Sequence, residues 1–411
     1  MNPYAILAGL LALAWAGGAL IRPGRQRMAG LSSGTEFLLM GILLGPLGLA
    51  AVSRPTLEAL APVTLVAASW LALLAGSQLG FANRRRVPAA HLLLGIALSL
   101  AVFAATALLA WWLVPLLLPL SGNERLLLAI GLGCAGCETA RTKAILGAQR
   151  LAAGGPLADA LANLAGSDDM VPLAGLALLF ALSTPAENAA AHAPPLVALG
   201  VTLGLGVAAG ALAGVLTRVE QRLTERWGIL LGTGLMAIGL SAVLGLAAPA
   251  ALAVMGVTLN LLARDGAALR GMLASTARPV LLPVVALAGA QLDLRDGLAL
   301  WAVAALVPAM RLAIKLPAIA LLRHHLTPPT LPGPWAGLAL MACGPITVCV
   351  GAVVAVQFPG PIGRLVLAGC LAAIVIGELL GPPALRRELQ RADEWPDDAA
   401  AAPGSATPGR S

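Results

Sequence analysis

Charged residues are scarce in this chain. Asp, Glu, Lys and Arg make up 11% of the 411 residues, whereas 59% are hydrophobic. A soluble globular chain carries about a quarter charged residues. Apolar runs recur almost end to end, and many reach the roughly 20 residues that cross a hydrocarbon core as a helix. The composition excludes a soluble protein and predicts an all-α polytopic membrane protein whose main partner is the lipid bilayer.

Cysteine and cofactor motifs are also sparse. The five cysteines form an odd set without an extracellular framework, which argues against a disulfide scaffold. Cys134 and Cys137 form a C-x-x-C that lacks a second pair or a nearby histidine, so zinc is not expected. The G-x-G-x-x-G at 131–136 lacks the strand that a nucleotide site needs. We therefore expect that the protein needs no cofactor and is not an enzyme. Scattered basic residues likewise predict no nucleic-acid partner.

The apolar runs predict thirteen spans. They cover about residues 3–21, 34–52, 60–82, 88–119, 124–148, 156–184, 194–217, 227–246, 248–263, 277–292, 296–322, 333–357 and 362–381. No basic region precedes the first run, which favours a spanning helix over a cleaved signal peptide. Residues 1–384 are predicted to form the membrane domain, and the polar, Pro/Ala-rich segment 385–411 a disordered cytoplasmic tail.

The arginines indicate the orientation. With the N-terminus outside, the outer loops hold Arg54, Arg125, Arg295 and Arg364. The inner side holds seventeen: Arg22, Arg25, Arg27, Arg84, Arg85, Arg86, Arg150, Arg218, Arg222, Arg226, Arg264, Arg270, Arg278, Arg323, Arg386, Arg387 and Arg391. Cytoplasmic loops carry an excess of Lys and Arg. The asymmetry predicts a plasma-membrane protein with its C-terminus in the cytoplasm.

Two short matches indicate an internal repeat. LMGILLG at 39–45 resembles VMGVTLN at 254–260, and AGSQL at 75–79 resembles AGAQL at 288–292. Their nearly shared offset spans seven predicted helices, so the two copies run in opposite directions. Inverted repeats are typical of secondary transporters. We predict repeats at about 34–184 and 248–381.

In the two predicted repeats, the fifth span of the chain corresponds to the twelfth. Both spans contain helix-breaking or polar residues. The fifth carries Gly136, Glu138 and Thr139, followed by Arg141 and Lys143. The twelfth carries Gly344, Pro345 and Thr347. Broken helices in corresponding positions are the best sequence indication of a transport site. Glu138 is expected either to offset exposed helix dipoles or to line the cavity.

Four charged residues fall within apolar runs. Asp168 and Asp169 lie in the sixth span, and Arg311 and Lys315 share one face of the eleventh. Charge inside a bilayer is costly, so such residues indicate function and are expected to pair. Two alternatives remain open: a wetted helix end for the aspartates, and snorkelling to the interface for the basic residues.

These motifs resemble the monovalent cation:proton antiporters, in particular the branch with sodium/proton antiporters and glutathione-gated potassium efflux proteins. Four segments carry the resemblance, which covers about residues 1–385: GILLGPLGL at 41–49, CETARTKAIL at 137–146, AGSDDMVPL at 165–173 and AGAQLDL at 288–294. The resemblance implies crossed broken helices in a core domain that moves against a dimer-forming scaffold. Gln78, where the family often has glutamate, and Glu138 depart from the pattern.

The resemblance also implies roles for individual residues. Asp169 matches the aspartate that binds a cation or a proton, and Asp168 matches the residue before it. Thr139 matches the threonine at the break, and Lys315 matches the basic residue of the eleventh span. The expected activity is electrogenic antiport of Na⁺, or alternatively K⁺, against H⁺. Sodium-coupled symport of an organic anion is disfavoured by the aspartates, and a non-transporting sensor is the remaining alternative.

The orientation is testable by cysteine labelling. We expect cysteines placed at Ser53 and Arg85, in a background without native cysteines, to react with an impermeant reagent from opposite sides of the membrane. The physical reason is the excess of arginine on one side. Labelling of both positions from the same side would show that the number of spans is wrong.

Overall fold

The computed structural model describes residues 35–79, 89–140, 155–183, 194–220, 222–263, 265–293, 297–322, 333 and 335–394. The predicted first span, residues 141–154 with Arg141 and Lys143, and the end of the predicted tail lie outside these residues. So do the inner-loop arginines at 84–86. The prediction of thirteen spans therefore remains a prediction.

All regular structure in the described residues is helical. In chain order the helices are α1 (Thr35–Leu44), α2 (Arg54–Ala59), α3 (Ala61–Ser77), α4 (Ala89–Leu113, then a 3₁₀ turn at Val114–Leu116), α5 (Gly122–Cys137), α6 (Pro156–Ser167), α7 (Met170–Leu182), α8 (Pro195–Val219), α9 (Leu223–Leu244), α10 (Ala248–Leu262), α11 (Gly266–Ala290), α12 (Gly297–Leu322), α13 (Ala336–Ala339), α14 (Pro345–Gln357) and α15 (Pro361–Arg391).

Long apolar helices dominate the part of the chain that the structure describes. Seven helical stretches there are long and apolar enough to cross a membrane, and α3, α10 and α14 are shorter apolar helices. The chain is a multi-pass membrane protein.

Several helices have other bounds than the sequence predicts. α1 ends at Leu44 rather than near residue 52, because Pro46 cannot donate a backbone hydrogen bond. α11 begins at Gly266 rather than near residue 277, because the Asp265 side chain accepts from the backbone N–H of Ala268 and caps an earlier start. The predicted tail from residue 385 is wrong at its beginning. α15 passes through Pro382 and Pro383 and continues to Arg391.

Burial explains why α15 continues beyond its prolines. Leu385 and Leu389, one helical turn apart, are 8% and 0% exposed. They join an apolar cluster with Leu157, Ile319 and Leu340 from three other parts of the chain. The last turns of α15 therefore belong to the packed protein.

Two helix pairs approach each other through glycine. A side chain at Gly41 of α1 would collide with the carbonyl oxygen of Ala286 in α11, and one at Gly256 of α10 would collide with the carbonyl oxygen of Leu73 in α3. Gly256 follows Gly41 by 215 positions, and Ala286 follows Leu73 by 213. The two contacts are thus the same contact, made once by each predicted repeat on the other.

The same relation holds for a second set of contacts. Gly76 of α3 meets the carbonyl oxygen of Ala253, and Gly289 of α11 meets the carbonyl oxygen of Leu38. The helix pairs α1–α11 and α3–α10 form a layer against which α14 packs. On its other sides α14 packs against α5, α7 and α15. This central position brings the interrupted helices together.

Candidate ion-binding site

α5 ends, and a non-helical stretch separates α13 from α14, in the buried interior of the described residues. α5 begins with a capping box between Ser121 and Glu124 and ends at Cys137, after which Glu138 is extended. On the opposite side, non-helical residues 340–344 separate α13 from α14. The backbone N–H of Ala140 donates to the carbonyl of Ala342 at 2.8 Å and joins the two interruptions. Each interruption leaves helix-end groups that need partners.

Glu138 satisfies the N-terminal end of α14. Its carboxylate accepts from the backbone N–H of Ile346 at 3.0 Å, from the N–H of Thr347, and from the Thr347 hydroxyl at 2.6 Å. Pro345, the first residue of α14, has no N–H to satisfy. Gly344 leaves room, since a side chain there would collide with the carboxylate. Of the two roles expected for Glu138, the geometry corresponds to offsetting the helix dipole.

Arg311 of α12 satisfies carbonyl groups at the other ends. Its guanidinium donates to the carbonyl of Gly136 at 2.5 Å and to that of Met341 at 3.0 Å. Arg311 and Lys315 are both 0% exposed, so neither snorkels to the interface. The expectation that Arg311 pairs with the aspartates is not met, because carbonyl groups at the ends of α5 and α13 take its guanidinium.

Lys315 lies one helical turn from Arg311. Its ammonium donates to the Thr139 hydroxyl at 2.7 Å and to the carbonyl of Leu340 at 3.1 Å. Thr139 also faces the carboxyl group of Asp168 with its side chain and its backbone. None of the ion pairs found among the described residues joins Lys315 to Asp168. Both residues contact Thr139, and the pairing of Asp168 with Lys315 stays a prediction.

The two aspartates lie at a further break. The predicted continuous span 156–184 consists of α6 and α7, and Asp168 and Asp169 occupy the turn between them. They are 4% and 9% exposed, which excludes a wetted helix end. Oδ1 of Asp168 is buried without a hydrogen-bond partner. The Ser99 hydroxyl of α4 contacts the Asp168 carbonyl at 3.5 Å.

The structure thus brings Thr139, Asp168 and Lys315 together, with Glu138 and Thr347 beside them. Sequence reasoning missed Ser99 and also Glu378, a carboxylate of α15 that is 8% exposed. Glu378 adjoins Gly377, which packs against Met341. The sequence signal that could have indicated Glu378 was an acidic residue near the end of the last apolar run. Among the described residues no group of three or more His, Cys, Asp or Glu side chains forms a metal site.

The fold is similar to that of solved structures. A structure of the sodium proton antiporter MjNhaP1 from Methanocaldococcus jannaschii at pH 8 aligns with a TM-score of 0.65 and 16% identity, over 93% of this chain and 100% of that one. A second structure of MjNhaP1, from electron microscopy, aligns with a TM-score of 0.61 and 16% identity, over 98% and 99%. The fold is that of a sodium/proton antiporter. No protein family and no curated protein matches the sequence.

We expect Glu138→Gln to destabilise the protein by about 1.5–3 kcal/mol, because α14 loses a charged hydrogen-bond acceptor. Thermal unfolding in detergent, followed by tryptophan fluorescence, measures the loss. Thr347→Val removes one partner of the same contact. The double variant should therefore lose less than the two single variants lose together. Additive losses would show that the carboxylate does not stabilise α14 through Thr347.

Proposed function

We propose that this protein exchanges Na⁺, or alternatively K⁺, for H⁺ across the plasma membrane by alternating access. The observation that carries the proposal is the Asp168 carboxyl group. It is 4% exposed, has an oxygen without a hydrogen-bond partner, and faces Thr139 beside Lys315. The fold is that of a sodium/proton antiporter. A titratable group in such a place marks an ion or proton pathway.

The chemistry of the site suits a monovalent cation. Carboxylate, hydroxyl and carbonyl oxygens are hard ligands, which alkali cations prefer. Asp168, Asp169 and Thr139 offer such oxygens around one turn and one interruption. A proton and a cation would compete for the same carboxylates, so that binding of one releases the other. Exchange then follows from a single site without a cofactor.

The architecture of this proposal has two inverted repeats, at about 34–184 and 248–381. The reciprocal glycine contacts of α1–α11 and α3–α10 support them. The two crossed broken helices would be α5 with its continuation, and α13 with α14. Thirteen spans, an outer N-terminus and a cytoplasmic C-terminus belong to the same proposal, as do a membrane domain that extends through α15 and a homodimer.

Proteoliposomes with a trapped pH dye test the function. We expect the wild type to move protons when Na⁺ or K⁺ is added, but not when an impermeant cation is added. Asp169→Asn should abolish this response, because asparagine keeps the shape but does not titrate. Asp159→Asn is the matched control, since Asp159 lies exposed on α6. An Asp169→Asn protein that exchanges at nearly the wild-type rate would contradict the assignment of Asp169 as the residue that binds the cation or the proton.

We also expect exchange to be electrogenic. A cation that binds the aspartates would disturb the Thr139 contact of Lys315 and favour loss of the ammonium proton, which a buried lysine can release but an arginine cannot. More protons than cations would then cross per cycle. An imposed membrane potential should therefore change the wild-type rate, whereas Lys315→Gln should exchange without a voltage response.

The controls separate this role from a structural one. Breaking a buried polar contact costs stability, so folded protein must be quantified for each variant. Lys315→Arg keeps the charge but cannot supply a proton. A wild type that ignores the potential contradicts electrogenic exchange. A folded Lys315→Gln variant with the normal voltage response shows that the lysine is structural.

A further inference from the structure

The end of α15 reaches the beginning of α6. Glu394 accepts from the backbone N–H of Leu157 through Oε1 and from that of Ala158 through Oε2, both at 2.8 Å. α6 begins with Pro156, which has no N–H, so these are the next two donors of its first turn. A side chain at Gly155 would collide with the Glu394 carboxylate. The contact is therefore a fitted helix cap supplied from 236 and 237 residues away.

Glu388, two turns earlier, anchors the same end of α15. It is 2% exposed and accepts from the backbone N–H of Gly333 at 2.7 Å and of Trp335 at 3.2 Å. Gly333 again leaves room, since a side chain there would collide with the carboxylate. Leu385 and Leu389 pack between these contacts in the apolar cluster with Leu157. The position of Glu394, three residues beyond α15, is thus fixed by the helix that precedes it.

The capped helix leads directly to the candidate site. α6 runs from Pro156 to Ser167, and Asp168 is the next residue. At about 1.5 Å per residue, its twelve residues place the cap roughly 18 Å from the aspartate. The far end of α6 packs tightly, because a side chain at Gly95 of α4 would collide with the Ser167 hydroxyl. A displacement of the first turn along the axis would therefore be transmitted to Asp168.

Glu394 has the same geometry as Glu138. Each glutamate comes from a distant part of the chain and accepts from the second and third residues of a helix that begins with Gly-Pro. Carboxylates favour helix N-termini because the macrodipole is positive there. Glu138 serves the helix that follows the interruption, whereas Glu394 serves the helix that carries the aspartates.

We propose that Glu394 is a positioning residue for ion binding: by holding the first turn of α6 it fixes the place of Asp168 relative to Thr139. This inference rests on the proposed antiport. Without the cap, the first turn of α6 loses its acceptors and the helix is free to shift toward its start. The oxygens of Asp168 then lie in a less favourable position for binding a cation, while the groups that carry out the exchange are unchanged. The apparent affinity should fall more than the maximal rate.

The test compares Glu394→Gln with Asp393→Asn, the exposed neighbour that loses the same charge. In proteoliposomes we expect Glu394→Gln to raise the apparent KM for Na⁺ or K⁺ about fivefold, the size of effect of an ordinary helix cap. Its maximal rate per folded protein should stay within about twofold of the wild type, the signature of lost binding rather than lost chemistry. Asp393→Asn should leave both values unchanged.

Hydrogen–deuterium exchange supplies a measurement that does not depend on transport. Glu394→Gln should accelerate exchange in a peptide covering 156–168, and Asp393→Asn should not. An unchanged KM in Glu394→Gln, or a loss of rate that only follows the loss of folded protein, overturns the inference. A wild type that exchanges no cation contradicts the proposed function instead, so the two failures are distinguishable.

Discussion

A helix that ends inside a membrane protein leaves backbone N–H and C=O groups that neither lipid nor water can satisfy. In this protein three buried side chains satisfy such backbone groups. Glu138 accepts from the start of α14, and Arg311 and Lys315 donate to carbonyl groups at the ends of α5 and α13. The negative group lies at the positive end of a helix and the positive groups lie at negative ends. These helix ends, and the candidate ion site between them, depend on this match of charge.

The same match explains why Thr139 is central. Lys315 is held by Leu340 and by the Thr139 hydroxyl, and Thr139 faces Asp168. A change of charge at Asp168 therefore alters the electrostatic environment of Lys315, which also donates to a carbonyl group at the end of α13. Buried ionisable groups of this kind titrate as a unit rather than one by one. The proposed binding of an ion at the aspartates would thereby be linked to the groups that satisfy the helix ends.

The sequence was most informative about positions along single helices. Four-residue spacing placed Arg311 and Lys315 on one face, and Gly344 with Pro345 located an interruption. Partners across the molecule were not predictable. The sequence predicts that Arg311 pairs with the aspartates, whereas in the structure it donates to carbonyl groups. The prediction fails because hydropathy gives no information about which helix ends lie opposite a given side chain. The sequence did not predict the break between α6 and α7 at Asp168 and Asp169, because both flanking segments are apolar and continuous in hydropathy.

The error at the C-terminus has the same origin and a wider meaning. Prolines and a polar composition predicted a tail, whereas Leu389 is 0% exposed and Glu394 caps α6. A remote glutamate on a Gly-Pro helix start occurs at Glu394 as it does at Glu138, so one local pattern is used twice with different partners. The N–H groups after each Gly-Pro require an acceptor wherever the helix start is buried. At Gly360 and Pro361, which begin α15, the N–H of Gly363 instead donates to the backbone carbonyl of Phe358. A buried Gly-Pro helix start therefore requires an acceptor, which can be a remote glutamate or a nearby carbonyl, and hydropathy alone does not predict which of the two supplies it.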